Sequence, residues 1–197
     1  MSLVDQANFL LEKYNGSFTA RQALEEGIAS SILSRMVKQE LLERVGPGIY
    51  NDPQRFEDEF LIGQLRLNKG IYNLNTALYF YDMTDYTPRH LDMNFPRGYH
   101  SQYIKSLNVR PSWQVESLYN LGINTVRTPC GNLVRTYDIE RTLCDIIQPH
   151  HMVQAEIIRD AFHVYVRRRG KDLNQLLWYA KKLRVYAKMR DYMMILL

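Results

Sequence analysis

The chain has 197 residues, 46% of them hydrophobic, with two cysteines and a formal net charge of +4. This is enough apolar content for a packed core and too much for a disordered chain. No stretch reaches the roughly 20 apolar residues that cross a bilayer, and Cys130 and Cys144 have neither CxxC nor CxxH spacing, which argues against a disulfide framework or a zinc site. The opening Met1-Ser2-Leu3-Val4-Asp5 lacks the basic-then-apolar order of a secretory leader. A reducing, cytoplasmic setting is expected, with no membrane partner, no metal and no cofactor.

Leu3, Val4, Ala7, Leu10, Leu11 and Tyr14 recur at spacings of three and four, which predicts an amphipathic helix closed by Asn15-Gly16. Thr19 and Gln22 read as a capping box for a short helix through Glu26, stopped by Gly27. A third helix is predicted from about Ser30 to Gln39. Leu41–Val45 and Ile49–Tyr50 then flank Gly46-Pro47-Gly48 as a hairpin. Helix, short helix, tight turn, third helix and hairpin is the order of a winged helix-turn-helix. Asn51-Asp52-Pro53 is the expected boundary, giving an N-terminal domain over 1–53 and a C-terminal domain over 57–197.

Beyond it, Phe56 to Leu67 is predicted as a helix, and Asn75 as the cap of a short helix through Tyr81. His90 to Phe95 alternates like a half-buried strand. Ile123–Thr128 and Leu133–Tyr137 form a hairpin around Pro129-Cys130-Gly131-Asn132, and Asp138 caps a helix to Gln148 that Pro149 ends. Two or three helices fill 152–197, broken near Gly170. The expected fold class is α+β, an N-terminal winged helix-turn-helix followed by a mixed α+β domain with strands first and helices at its end.

On a wheel of about 100° per residue, the third helix sets Ile32, Leu33, Met36 and Val37 against Ser31, Ser34, Arg35 and Lys38. The apolar side would pack on the first two helices, leaving the polar side for a major groove. Arg35 can donate two hydrogen bonds to guanine, the serines can meet several bases, and Lys38 suits phosphate. The small Ala29-Ser30-Ser31 would let the backbone approach DNA. Arg44 with the Gly46–Gly48 tip would lie over a neighbouring backbone or minor groove, and Thr19 and Arg21 would hold a phosphate at the start of the second helix. The plain alternative is a solvated polar face. Residues 1–53 are themselves acidic, five Lys/Arg against seven Asp/Glu, so those acids must lie away from any DNA face.

The positive surplus lies at the other end, where residues 157–197 carry ten Lys/Arg against three Asp/Glu. Arg167, Arg168, Arg169, Lys171, Lys181, Lys182 and Lys188 are candidates for a nucleic-acid or antitoxin surface, with a solvated helical face as the alternative. Chemistry is not expected. The histidines (His90, His100, His150, His151, His163) match no metalloprotease spacing, no nucleophile-elbow or phosphate-loop motif is present, and Asp82, Asp85 and Asp92 show no spacing that metal-dependent transfer requires.

Three runs carry a resemblance. Leu41 to Tyr50 is similar to the wing of AbiE-family antitoxins. Asn75-Thr76-Ala77-Leu78 with Thr87-Pro88 resembles the start of that family's second domain. Tyr137-Asp138-Ile139-Glu140-Arg141-Thr142-Leu143-Cys144-Asp145 resembles its most recognisable motif. The resemblance spans nearly the whole chain. It implies the antitoxin of a type IV toxin–antitoxin system acting in abortive phage infection, and an autorepressor that binds inverted repeats in its own promoter. It also implies a C-terminal domain that counteracts a nucleotidyltransferase-like toxin without a stable complex. Read from the residues alone, Glu140, Arg141 and Asp145 are structural: Glu140 suits the first turn of a helix, and Arg141 and Asp145 are four apart and can pair. An RNA- or protein-binding adaptor working through the basic C-terminal helices and the fourteen tyrosines is the competing reading.

Overall fold

The computed structural model describes residues 2–196. Met1, at the head of the stretch read for a leader, and Leu197, at the end of the expected helices, lie outside the described residues. The chain divides into two compact units. One takes in the residues up to Arg66 together with Cys130–Asn132, and the other takes in Leu67–Pro129 and Leu133–Leu197.

In the first unit the order is α1 (Leu3–Lys13), β1 (Ser17–Thr19), α2 (Ala20–Glu25), α3 (Ser30–Lys38), β2 (Glu43–Gly46), β3 (Ile49–Asn51) and α4 (Glu59–Arg66). Ser2 and Asp5 close a capping box on α1, and Thr19 and Gln22 close one on α2. β1 was not expected. It is three residues long, too short for a period, and exists through its antiparallel pairing to β3, which sets Phe18 opposite Tyr50 with ring centroids 5.7 Å apart. The antiparallel sheet runs β1-β3-β2. Beneath it Leu10, Phe18, Leu33 and Met36 are fully buried, each worth about 1.5–3 kcal/mol.

The compact unit runs past residue 53 to Arg66. The helix predicted from Phe56 starts at Glu59, because Asp58 Oδ1 accepts from the amides of Phe60 and Leu61, while Phe56 is 96% exposed. Asp58 itself is buried and accepts from Asn132 Nδ2 at 2.8 Å.

The second unit holds β4 (Ile71–Tyr72), α5 (Leu74–Phe80), β5 (Leu91–Pro96), α6 (Tyr103–Ser106), β6 (Val109–Gln114), α7 (Glu116–Tyr119), β7 (Ile123–Arg127) and β8 (Leu133–Tyr137). It closes with α8 (Ile139–Ile146), a 3-10 turn at Pro149–His151, α9 (Ala155–Arg167), α10 (Leu173–Lys182) and α11 (Tyr186–Leu196). The five-stranded sheet runs β6-β5-β4-β8-β7 and is mixed, with β5–β6 and β4–β8 parallel. The expected β7–β8 hairpin is present and antiparallel. α5, α8, α9, α10 and α11 share one apolar cluster built on Leu78, Leu143, Phe162, Leu176 and Met189.

Three expectations in this unit are corrected. β5 is buried on both faces, from Leu91 through Phe95, because other elements, α5 and α7 among them, pack over it and leave no solvated face. Asn75 does not cap α5. The N-cap is Asn73, and Asn75 lies inside the helix with its amide donating to Asp92. β4, α6, β6 and α7 were not anticipated, since each is short or has its pairing set by distant partners. Asp138 caps α8 as expected, accepting from the Arg141 amide at 2.8 Å, although α8 ends at Ile146 and not at Gln148.

Candidate nucleic-acid interface

α3 buries Leu33 and Met36 and exposes Ser31, Ser34, Arg35 and Lys38. Its nine residues contain no acid, and neither Arg35 nor Lys38 has a carboxylate partner among the described residues. Ser34 returns its hydroxyl to Ser30 O at 3.0 Å, and N-cap Ala29 makes no side-chain cap, so side chains leave the first-turn amides of α3 unclaimed. Such amides with the helix dipole favour an anion.

Of the seven acids in residues 1–53 four are engaged by other groups, while Glu12, Glu40 and Glu43 are exposed and have no ion pair among the described residues. Glu26 takes Lys13 at 2.7 Å and the Tyr14 hydroxyl at 3.0 Å, which hold its carboxyl below the usual range. Glu25 pairs with Arg21, Asp5 caps α1 and Asp52 pairs with Arg55.

The candidates around α3 differ in what their side chains do. Thr19 Oγ1 is committed to Gln22, accepting from its amide and donating to its Oε1. Arg21 is exposed and bonded to Glu25 at 3.1 Å. Arg44 is exposed and donates to Gly46 O at 3.3 Å, where the strand pairing shifts register by a bulge. Gly48 adopts φ +68, the left-handed turn conformation that glycine accommodates. Gly46 answers a different demand, since a side chain there would strike the guanidinium of Arg66, whose Nη2 donates to Val45 O at 3.0 Å. Sequence reasoning missed Arg66, twenty residues downstream of Gly46, because nothing local signals that it folds back over the hairpin.

In the second unit the basic residues fall into two sets. Arg167, Arg169, Lys181 and Lys182 are exposed. Lys182 lies over Trp178, which is 48% exposed, and Lys181 lies over Tyr186. Half-buried Arg168 and exposed Lys188 also bond to backbone, donating to Tyr81 O at 3.0 Å and Ile147 O at 2.8 Å, and half-buried Lys171 reaches Arg168 O.

The Glu140–Asp145 run is more deeply built in than an exposed helix pair. Arg141 donates from Nη1 to Leu118 O and Leu121 O, and from Nη2 to Gln114 Oε1, with its guanidinium 4.3 Å from the Tyr137 ring centre. Gln114 also accepts from Asn94, whose Nδ2 donates to the Tyr137 hydroxyl as well. Glu140 accepts from the Tyr165 hydroxyl and the Asp172 amide. Cys144 is buried, and burial pushes its thiol far up, out of nucleophilic range. Asp92 is buried against Arg110 in β5, while Asp82 and Asp85 are exposed in the loop between α5 and β5. Among the described residues no group of three or more His, Cys, Asp or Glu could hold a metal ion, and no helix is long and apolar enough to cross a membrane.

By class this is a mixed α+β chain whose N-terminal unit presents a polar face on its third helix beside a hairpin. Residues 5–51 of that unit match the family model described as transcriptional regulator, AbiEi antitoxin. The resemblance read from the sequence therefore stands over this segment, and the match stops short of Glu140–Asp145. Among curated proteins none matches the chain.

Proposed function

We propose that the chain is a winged helix-turn-helix repressor of its own operon and the antitoxin of a type IV toxin–antitoxin pair. The DNA-reading domain is assigned to residues 1–53 and the antitoxin domain to 57–197. α3 enters the major groove with Arg35 on guanine, Ser31 and Ser34 on base edges and Lys38 on phosphate. The β2–β3 hairpin, with Arg44, Gly46 and Gly48, acts as the wing. Thr19 contributes its position at the start of α2 and Arg21 an exposed charge that exchanges Glu25 for phosphate. The operator is an inverted repeat in the promoter. The antitoxin domain counteracts a nucleotidyltransferase-like toxin without a stable complex, in the cytoplasm, and performs no catalysis.

The observation that supports this most is the division of α3 into a buried apolar side and an exposed, acid-free side within the segment similar to AbiEi regulators. The test is a mobility shift with the chain's own upstream DNA against scrambled duplex and bulk RNA. A shift confined to the upstream duplex is expected, and equal binding to all three would sink the repressor.

A second reading, an RNA-binding adaptor, is favoured by one feature. Exposed Trp178 and Tyr186 lie under Lys182 and Lys181, a pairing of ring faces and cations that suits unstacked bases. The RNA arm of the same experiment distinguishes it.

A further inference from the structure

The second unit contains a cavity of about 370 Å³ between the 84–90 loop, β5, β6 and the segment entering α9. This is within the range of small-ligand pockets. Its inner wall is polar. Arg110 Nε donates to Asp92 Oδ1 at 2.5 Å, and the Asn75 amide donates to Asp92 Oδ2 at 3.2 Å. The wall is not self-sufficient, because the buried Arg110 Nη2 and the buried Asn75 Oδ1 have no partner among the described residues. An unpaired buried donor and an unpaired buried acceptor both weigh against folding unless something complementary meets them.

The rim has a different chemistry. Arg89 and His90 are exposed there, so that the lining sets two arginines and a histidine against a single carboxylate. Two large side chains are also left to solvent, Tyr86 at 62% and Met152 at 84% exposed. Met152 is held in the left-handed region at φ 49, a conformation that costs free energy in a non-glycine residue. The next residues lead to Gln154, the N-cap of the 13-residue α9, which also lines the cavity and caps nothing with its side chain. Cationic groups select an anion, a free ring face and thioether select a flat ring, and the unpaired wall atoms select a ligand that both donates and accepts.

We propose that this cavity binds a nucleoside monophosphate, with phosphate toward Arg89 and His90, the base against Tyr86 and Met152, and polar atoms of the nucleoside completing Arg110 and Asn75. The site lies wholly in the second unit and is independent of DNA reading by α3.

Titration calorimetry of the full chain with the four ribonucleoside monophosphates, their nucleosides and inorganic phosphate tests it. At least one monophosphate should bind saturably, tighter than about 1 mM, with its nucleoside and inorganic phosphate weaker by about tenfold or more. Arg89→Ala and Tyr86→Ala, both at exposed positions, should each weaken it about fivefold or more without shifting the melting temperature. The proposal is overturned if no monophosphate gives saturable heat. It is equally overturned if inorganic phosphate binds as well as the nucleotides, or if both variants bind like the parent chain.

Discussion

Arg141 and Asp145, one turn apart on α8, form an ion pair from which solvent is excluded: Arg141 Nε lies 3.0 Å from Asp145 Oδ2, and the side chains are 0% and 1% exposed. An exposed pair at this spacing is worth a few tenths of a kcal/mol. Here the same guanidinium also closes the carbonyls of Leu118 and Leu121 and reaches Gln114 at the end of β6. One side chain thus ties α8 to the sheet and to α7. Arg141→Met should destabilise the second unit by about 3–5 kcal/mol, because Asp145 is left as an uncompensated buried charge. Arg141→Lys should recover little, since an ammonium cannot reproduce the planar fork. Arg141→Met with Asp145→Leu should recover part of the loss but not all, the backbone carbonyls remaining unpaired. Urea unfolding followed by Trp113 and Trp178, both in this unit, measures each.

Arg35→Ala should weaken specific operator binding by about 1–3 kcal/mol, as loss of one bidentate base contact does. Lys38→Ala should weaken binding to every duplex and lower the salt slope by about one. Both residues are exposed, so the melting temperature should stay put. A promoter footprint untouched by either change would remove α3 from the reading role.

Gly46→Ala should displace the Arg66 guanidinium and break its bond to Val45 O, costing about 1 kcal/mol. Arg66→Ala should cost a similar amount, and adding Gly46→Ala to it should be nearly neutral. Amide exchange across β2 and β3 reads all three, and additive effects would show that the two residues do not share one interaction.

Burial, with help from the charge on neighbouring His150, lowers the pKa of His151 from its ordinary 6.5 to about 4. Between those values the unfolded chain binds more protons than the folded one. Stability present above pH 6.5 is therefore lost as pH falls toward 4, by up to about 1.4 kcal/mol per pH unit. Tryptophan-detected urea midpoints should decline over that window, and His151→Gln should flatten the decline.

Charge reversal at Arg167, Arg169, Lys181 and Lys182 should reduce promoter affinity or toxin rescue at low salt, where such contacts are strongest, with thermal stability near that of the parent chain. Arg168 and Lys188 do not belong in that set, because their bonds to Tyr81 O and Ile147 O make loss of function inseparable from loss of fold. Survival of both functions would reduce the patch to a solvated face.

Local chemistry was legible in the sequence wherever neighbours along the chain decide it. Thr19 with Gln22 cap α2 and Asp138 caps α8, because a capping side chain serves amides two or three residues on. The two sides of α3 followed from helical spacing alone, since Leu33 and Met36 fall together on any helix of that sequence. Tertiary structure decided whatever depends on a distant partner. β1 exists only because β3 pairs with it, and β5 reads as half-buried until α5 and α7 pack against it. Arg66 gives no local hint that it will cover Gly46. Arg141 and Asp145 advertise a surface pair by their spacing, yet they are enclosed by α7, β6 and Tyr137. Spacing determines which side chains can meet, but whether water is excluded when they do is set by segments remote in sequence. That exclusion turns a pair worth tenths of a kcal/mol into one whose rupture costs several.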